Sequence, residues 1–459
     1  IGAPIGLAYK RNTVEFWRYG SSGIATRENV VSLNKAVPVF EKHKDSWSPE
    51  SILRAKAFGT YKKEYQLDFV DVGLLPALED QIHKKLHDFL TRIASEANEM
   101  HKKKYKQESV SAELYRLMFR LISGKILCER NLIKVDFKNS DDILTKVKTH
   151  YGRKADAEVI LNDREIKDFL AEQIDKSFSF YNISSDTLAY VYDTTLVTRD
   201  ARRTLGIHNT PKYIAEFILN HLPIEELHEK DRYVLDATCG GGMFLIAALR
   251  RLKALLPPST TQQKAHDYLI ERIRGIEIEP FSSEIAYLSM LLADIPNPNG
   301  WKIEEKNVFS NGVLNRCAGN TTIFVGNPPF EQFKKGEKLD YKQLGISLTM
   351  QDKAGELLYR ALPLLPKGAL VGIVLPNSFQ DASRFRSIRK TLLEGFDILE
   401  LVSLPDKVFS HSESPTLLLM ARKKGKPVYP NSIFKFSEVS TAGLPEFKEL
   451  GKFSRKEEA

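Results

Sequence analysis

The chain is poor in cysteine and has no long apolar run. Its 459 residues hold three cysteines, Cys128, Cys239 and Cys317, far apart and with no CxxC spacing. That argues against a disulfide framework and against a structural zinc site, and it fits a reducing, cytoplasmic compartment. No apolar stretch approaches the roughly 18 to 20 residues of a membrane span, so no membrane partner is expected. At the glycine cluster Gly240-Gly241-Gly242 the spacing is neither GxGxxG nor GxxxxGK(S/T), which lowers the case for a dinucleotide or a nucleoside triphosphate. The chain opens Ile1-Gly2-Ala3-Pro4, with neither methionine nor a signal pattern, as expected of a chain trimmed at its start.

What is present is a soluble, globular composition, 42% hydrophobic and 27% charged, with a formal charge of +8. A basic balance favours a polyanionic partner, because neutralising phosphates releases counterions. The length suggests roughly two to four domains.

Three textures follow one another. Residues 1–71 contain a small β element, in which Gly6 to Tyr9 and Thr13 to Trp17 alternate in strand fashion around Lys10-Arg11-Asn12. Residues 72–204 are helical: Leu74, Leu75, Leu78, Ile82, Leu86, Phe89, Leu90 and Ile93 recur at threes and fours, and further helices are predicted around 110–127, 140–150 and 164–177. Between Asp156 and Lys167 lies a loose echo of a nuclease carboxylate-lysine arrangement, but Asp163, Glu165 and Lys167 fit a solvated helix face far better. No metal is expected. Residues 205–424 alternate short apolar runs with helices, the pattern of a doubly wound α/β sheet. Predicted strands are 233–236, 273–277, 322–325, 369–374 and 399–402. In such sheets ligands bind beyond the carboxyl ends of the strands.

The first of those ends reads Asp236-Ala237-Thr238-Cys239-Gly240-Gly241-Gly242, a glycine turn opening a helix, where a ligand can approach backbone closely. The alternative is a helix-capping turn that needs glycine for geometry alone. The next strand ends in Glu277-Ile278-Glu279-Pro280, and a carboxylate there can accept both hydroxyls of a ribose. Together the two ends favour an adenosine-like ligand. Further on, the strand 322–325 runs into Gly326-Asn327-Pro328-Pro329-Phe330. An exocyclic amine conjugated to an aromatic base is a poor nucleophile, and alkylating it leaves positive charge on nitrogen. The Asn327 side-chain oxygen and the Pro328 carbonyl can each accept one amine hydrogen, which localises the lone pair and stabilises that charge. The prolines hold the carbonyl rigid, and Phe330 can stack on a base at roughly 1–3 kcal/mol. A rigid turn after a strand is the alternative.

The segment 205–422 resembles the gamma-class amino-methyltransferases of restriction-modification systems, particularly type I modification subunits. His208-Asn209-Thr210-Pro211-Lys212, Asp236 to Gly242, Glu277, Asn327 to Phe330 and Leu404-Pro405-Asp406-Lys407-Val408-Phe409 match that family's motifs in order. The resemblance implies a Rossmann-like methyltransferase sheet domain at 205–424 behind the helical domain, and S-adenosylmethionine as cofactor. It implies cofactor binding by Thr210, Asp236, Thr238, Gly240 and Glu277, and transfer to adenine N6 in DNA at Asn327, Pro328, Pro329 and Phe330. The extruded base would lie between Phe330 and Phe409. Where the family places an Asp against the cofactor's adenine the chain has Asn307, which also offers an acceptor oxygen. Ala237 and Gly241 are further departures. Residues 425–459 are expected to be an extension or a truncated further domain, too short for a target-recognition domain, so DNA-sequence choice would come from a separate specificity subunit, a truncated C-terminal region or the N-terminal domains, with a restriction subunit as a further partner. Methylation of a protein glutamine amide or of RNA, or a non-catalytic DNA-binding subunit, are the competing readings.

Overall fold

The computed structural model describes residues 5–10, 12–19, 25–42, 76–105, 111–150, 161–177, 180, 210–294, 300–406, 408–409, 415–425 and 434–450. The chain divides into two units, Ile1–Val197 and Thr198–Ala459.

In the first unit, β1 (Ile5–Lys10), β2 (Thr13–Tyr19) and β3 (Ala25–Ser32) form an antiparallel meander in that order. Alternation puts Val14 and Phe16 on one buried face with Ala36. Among the described residues a short helix, Ala36–Lys42, and then four longer ones follow, Pro76–Tyr105, Ser111–Glu129, Ser140–His150 and Arg164–Asp175. Leu86, Leu90, Ile93 and Ala97 form one buried stripe, the face that a period of 3.6 presents inward. Of the predicted stripe, Leu74 and Leu75 lie outside the described residues. Buried Lys125 donates to the Ile174 and Asp175 carbonyls at 2.8 and 2.9 Å, satisfying orphan acceptors at a helix C-terminus.

The expected solvated face at 163–167 is corrected here. Asp163 is buried, caps the helix Arg164–Asp175 through the Ile166 N–H, and accepts the Tyr105 hydroxyl at 2.6 Å. Lys167 is buried and paired with Asp141, and Glu165 is the exposed one of the three. Asp163 and Lys167 are polar because they join helices rather than meet water. Asp156 lies outside the described residues, and among those described no group of His, Cys, Asp or Glu could hold a metal.

The second unit is an eight-stranded sheet ordered β11-β9-β10-β8-β7-β4-β5-β6. Its strands are β4 (Val234–Asp236), β5 (Ile273–Glu277), β6 (Lys302–Glu305), β7 (Ile323–Gly326), β8 (Leu370–Pro376), β9 (Phe396–Leu404), β10 (Thr416–Lys423) and β11 (Lys435–Glu438). Every described pairing in it is parallel except those of β10 with β8 and β9. β7 and β8 are buried along their whole length, as strands covered on both faces must be. Ile323 and Val325 enter one core layer while Phe324 enters the other.

β6 escaped the sequence reading because Lys302-Ile303-Glu304-Glu305 is a charged edge strand. The described part of 425–459 is likewise corrected. β11 pairs in parallel with β9, and Phe447 of the helix Leu444–Leu450 is fully buried in the sheet's core. The segment 434–450 therefore belongs to the sheet unit. β4 sits between β5 and β7, so the strand order runs outward both ways from it. That reversal opens a crevice at the carboxyl ends of β4 and β7.

Candidate active site

At that crevice Thr210, Asp236, Thr238 and Asn327 line one small cleft, with Cys239, Gly241, Met243 and Phe244. Asp236 is the last residue of β4, and Asn327 follows β7 directly. The approach of the two strand ends demands glycine. A Cβ on Gly326 would stand 2.9 Å from the Asp236 Oδ1. Gly242 opens the helix Met243–Ala254 at φ +87°, where a side chain would also press on Ala286 at 3.1 Å.

The loop's acids differ in their partners. Glu277 accepts the Gly240 N–H at 2.8 Å and the Glu279 N–H at 2.9 Å. The Cys239 N–H meanwhile bonds the Ile276 carbonyl at 3.0 Å, so the glycine loop is stitched to the end of β5. Desolvation still leaves the Glu277 carboxyl above its ordinary range, with those N–H groups pulling the other way. Asp236, 1% exposed, accepts the Thr238 N–H at 3.1 Å. Burial pushes its carboxyl up to about 8, against that hydrogen bond and with help from the Glu277 charge. The Thr238 hydroxyl is buried without a hydrogen-bond partner among the described residues. A buried acid and an unpaired hydroxyl on one cleft wall suit a ligand carrying a cation and hydrogen-bonding groups.

Asn327 is held by a residue far away in sequence: its Nδ2 donates to the Thr210 hydroxyl at 3.1 Å. The amide is thereby oriented with Oδ1 left to accept. Pro328 is buried, while Pro329 and Phe330 are half-buried.

The site lies on a chain whose family is identifiable: the sequence pattern of the N-6 DNA methylases matches residues 183–445. The chain belongs to the N-6 DNA methylase family. It is 30% identical over 289 residues to the adenine-specific methyltransferase PglX of Streptomyces coelicolor, covering 49% of this chain and 24% of that protein. It is 27% identical over 174 residues to the type II restriction enzyme and methyltransferase RM.BcgI of Heyndrickxia coagulans, covering 38% of this chain and 24% of that one. The chain thus spans about a quarter of the length of these relatives. In fold it is similar to a protein from Vibrio vulnificus YJ016 described as a type I restriction enzyme modification subunit. There the TM-score is 0.54 at 16% identity, over 77% of this chain and 84% of that one.

Other expected residues of this N-6 methylase-family chain lie outside the cleft lining. Asn307, in the loop after β6, accepts the Phe309 N–H at 2.9 Å and donates to the Tyr341 hydroxyl at 3.0 Å. Phe409 is buried in the core cluster against which Phe330 packs. Sequence reasoning missed Gly326, whose signal was its place between a buried strand and Asn327. Ile278, directly after Glu277, is 60% exposed, an apolar surface beside an acid. Tyr341 carried no local signal.

Proposed function

We propose that this chain transfers a methyl group from S-adenosylmethionine to the exocyclic N6 amine of adenine in DNA. The observation that carries the reading is the meeting of Thr210, Asp236, Thr238 and Asn327 at one cleft of the switch point, in a chain of the N-6 DNA methylase family.

The residues present fit the cofactor. Asp236 and the Thr238 hydroxyl would take its charged methionine end, Glu277 and the Gly240 region its ribose, and Ile278 and Asn307 the face and edge of its adenine. When bound, S-adenosylmethionine supplies an electrophilic methyl on a sulfonium sulfur. The chain's own residues prepare the nucleophile. With Nδ2 tied to Thr210, Asn327 turns Oδ1 toward one amine hydrogen, and the Pro328 carbonyl takes the other. Two acceptors draw the lone pair out of the ring and stabilise the charge that develops on nitrogen. Phe330 holds the base plane, and the base reaches it by leaving the duplex stack. The partners that accompany this reading are DNA, a specificity subunit and a restriction subunit.

The test is transfer of labelled methyl to adenine-containing duplex DNA, followed by digestion to nucleosides. N6-methyladenine is the expected product. Label found only in protein or RNA would overturn the reading.

A further inference from the structure

The residues after Phe330 leave the sheet and return to it. Gln332 and Asp352 bridge in antiparallel fashion, the Phe333 N–H donates to the Gln351 carbonyl at 3.1 Å, and the Lys353 N–H to the Glu331 carbonyl at 3.0 Å. Residues 332–352 are thus an excursion with a closed neck. Phe333 is three residues from Phe330, at most about 11 Å along the chain.

The excursion is built rather than draped. On its return leg the Thr349 and Met350 N–H groups donate to fully buried Glu356 at 2.8 and 2.7 Å. Arg360, paired with Glu356 at 2.7 Å, donates to the Ser347 carbonyl at 2.6 Å and the Phe309 carbonyl at 3.0 Å. Phe309, Phe333 and Tyr341 meet edge to face at 5.5 to 6.0 Å. These ties fix the excursion to the loop after β6.

What it presents outward is positive. Its helix, Lys335–Gln343, shows Lys335, Lys338 and Lys342 on one face, with Lys334 before it. None of these lysines has an ion pair among the described residues. The nearby acids are occupied elsewhere: Glu331 and Glu337 by Lys353 at 3.3 and 3.0 Å, and Asp352 by Arg384 at 3.6 Å. Asp340 remains the opposing charge. Lys338 and Lys342 border an open groove of about 520 Å³ with Gly345, Ser347, Thr349 and Gln351. Paired lysines beside hydroxyls and an amide are the donors that phosphate oxygens accept from, and the groove has room for a nucleotide-sized group.

Resting on the function proposed above, we infer that the excursion 332–352, through Lys338 and Lys342, binds the phosphodiester backbone of the substrate DNA strand beside the adenine presented to Asn327. The test uses the full chain, the Lys338→Ala/Lys342→Ala variant, and Lys264→Ala/Lys390→Ala, which removes two exposed lysines elsewhere on the sheet unit. Duplex affinity is followed by fluorescence anisotropy across a salt series, beside methyl transfer and cofactor titration. The first variant is expected to bind duplex about tenfold more weakly, with its log–log salt slope shallower by about 2. Its KM for DNA rises while its cofactor affinity stays as in the parent chain, and the control variant follows the parent. A parent chain that methylates duplex DNA, together with a variant of unchanged affinity and slope, would overturn the inference alone. An equal loss of cofactor and DNA affinity would overturn it too, since that marks a general disturbance. A parent chain that never methylates DNA would remove the function and the inference together.

Discussion

The carboxyl ends of β4 and β5 are assembled differently from the carboxyl end of β7. In the first region the partners are near neighbours: Asp236 takes the Thr238 N–H, and Glu277 takes those of Gly240 and Glu279. In the second, Asn327 is oriented by Thr210, 117 residues away. Backbone N–H groups of a strand-turn-helix suffice to hold acids for a ligand. An amide that must offer one chosen oxygen needs a side chain brought from elsewhere. The comparison teaches that cofactor affinity and methyl transfer should separate when the two regions are changed singly.

The largest effect is expected at Asn327. Asn327→Ala should lower kcat by about 10²–10³, the cost of losing one preorganised partner of a developing charge. Cofactor affinity should stay within a few fold of the parent chain. Single-turnover transfer beside equilibrium cofactor titration reads both, and a kcat within a few fold of the parent chain would break the division.

Next comes Glu277. Glu277→Ala removes a charged acceptor and also frees the Gly240 N–H, so cofactor Kd should rise about 10- to 100-fold. At saturating cofactor the single-turnover rate should change little. A loss confined to that rate, with Kd untouched, would place Glu277 on the wrong side of the comparison.

Asp236 sharpens the comparison through pH. Its carboxyl lies near 8 rather than the ordinary 3.8, so the unliganded fold holds a proton there that the unfolded chain has already lost. Between those two values the native state binds more protons than the unfolded state, and stability falls as pH rises. A cationic ligand group reverses the balance, because it needs the carboxylate and expels the proton. Cofactor Kd should therefore tighten about tenfold per unit as pH rises toward 8, then level off. Calorimetry in buffers of different ionisation enthalpy would show about one proton released in that linkage. A flat pH profile, or one unaltered by Asp236→Asn, would count against Asp236 as the cation's partner.

The smallest effect is expected at Tyr341, which ties the excursion after β7 to the loop after β6. Tyr341→Phe removes the hydroxyl that accepts from Asn307 and retains the ring among Phe309 and Phe333. One neutral hydrogen bond is worth about 0.5–1.5 kcal/mol, so cofactor affinity should weaken about threefold with kcat held. A larger fall in kcat than in affinity would show that the excursion acts on the amine side as well.

Much of this was legible before any coordinates. The strand expected at 273–277 is Ile273–Glu277, short and bounded by Glu279-Pro280, and that expected at 369–374 is Leu370–Pro376, a continuous apolar run buried on both faces and closed by Pro and Asn. Less legible were positions whose identity is set by distant neighbours. β6 is charged because it is an edge. Lys167 and Asp163 look solvent-facing but join helices. β11 lies past the point where the pattern was expected to stop.

By itself the sequence determined the alternation of strand and helix, the order of the acidic, glycine and Asn-Pro-Pro loops, and the chemistry those residue types allow. All of these depend on local periodicity and residue type. Only the tertiary structure decided that β4 lies between β5 and β7, which puts Asp236 and Asn327 at one cleft. It also decided that Thr210 orients Asn327, and that the lysines of 332–352 stand in a groove tied to the loop of Asn307. Those facts depend on strand order and on contacts between remote residues, which hydrophobic periodicity does not encode.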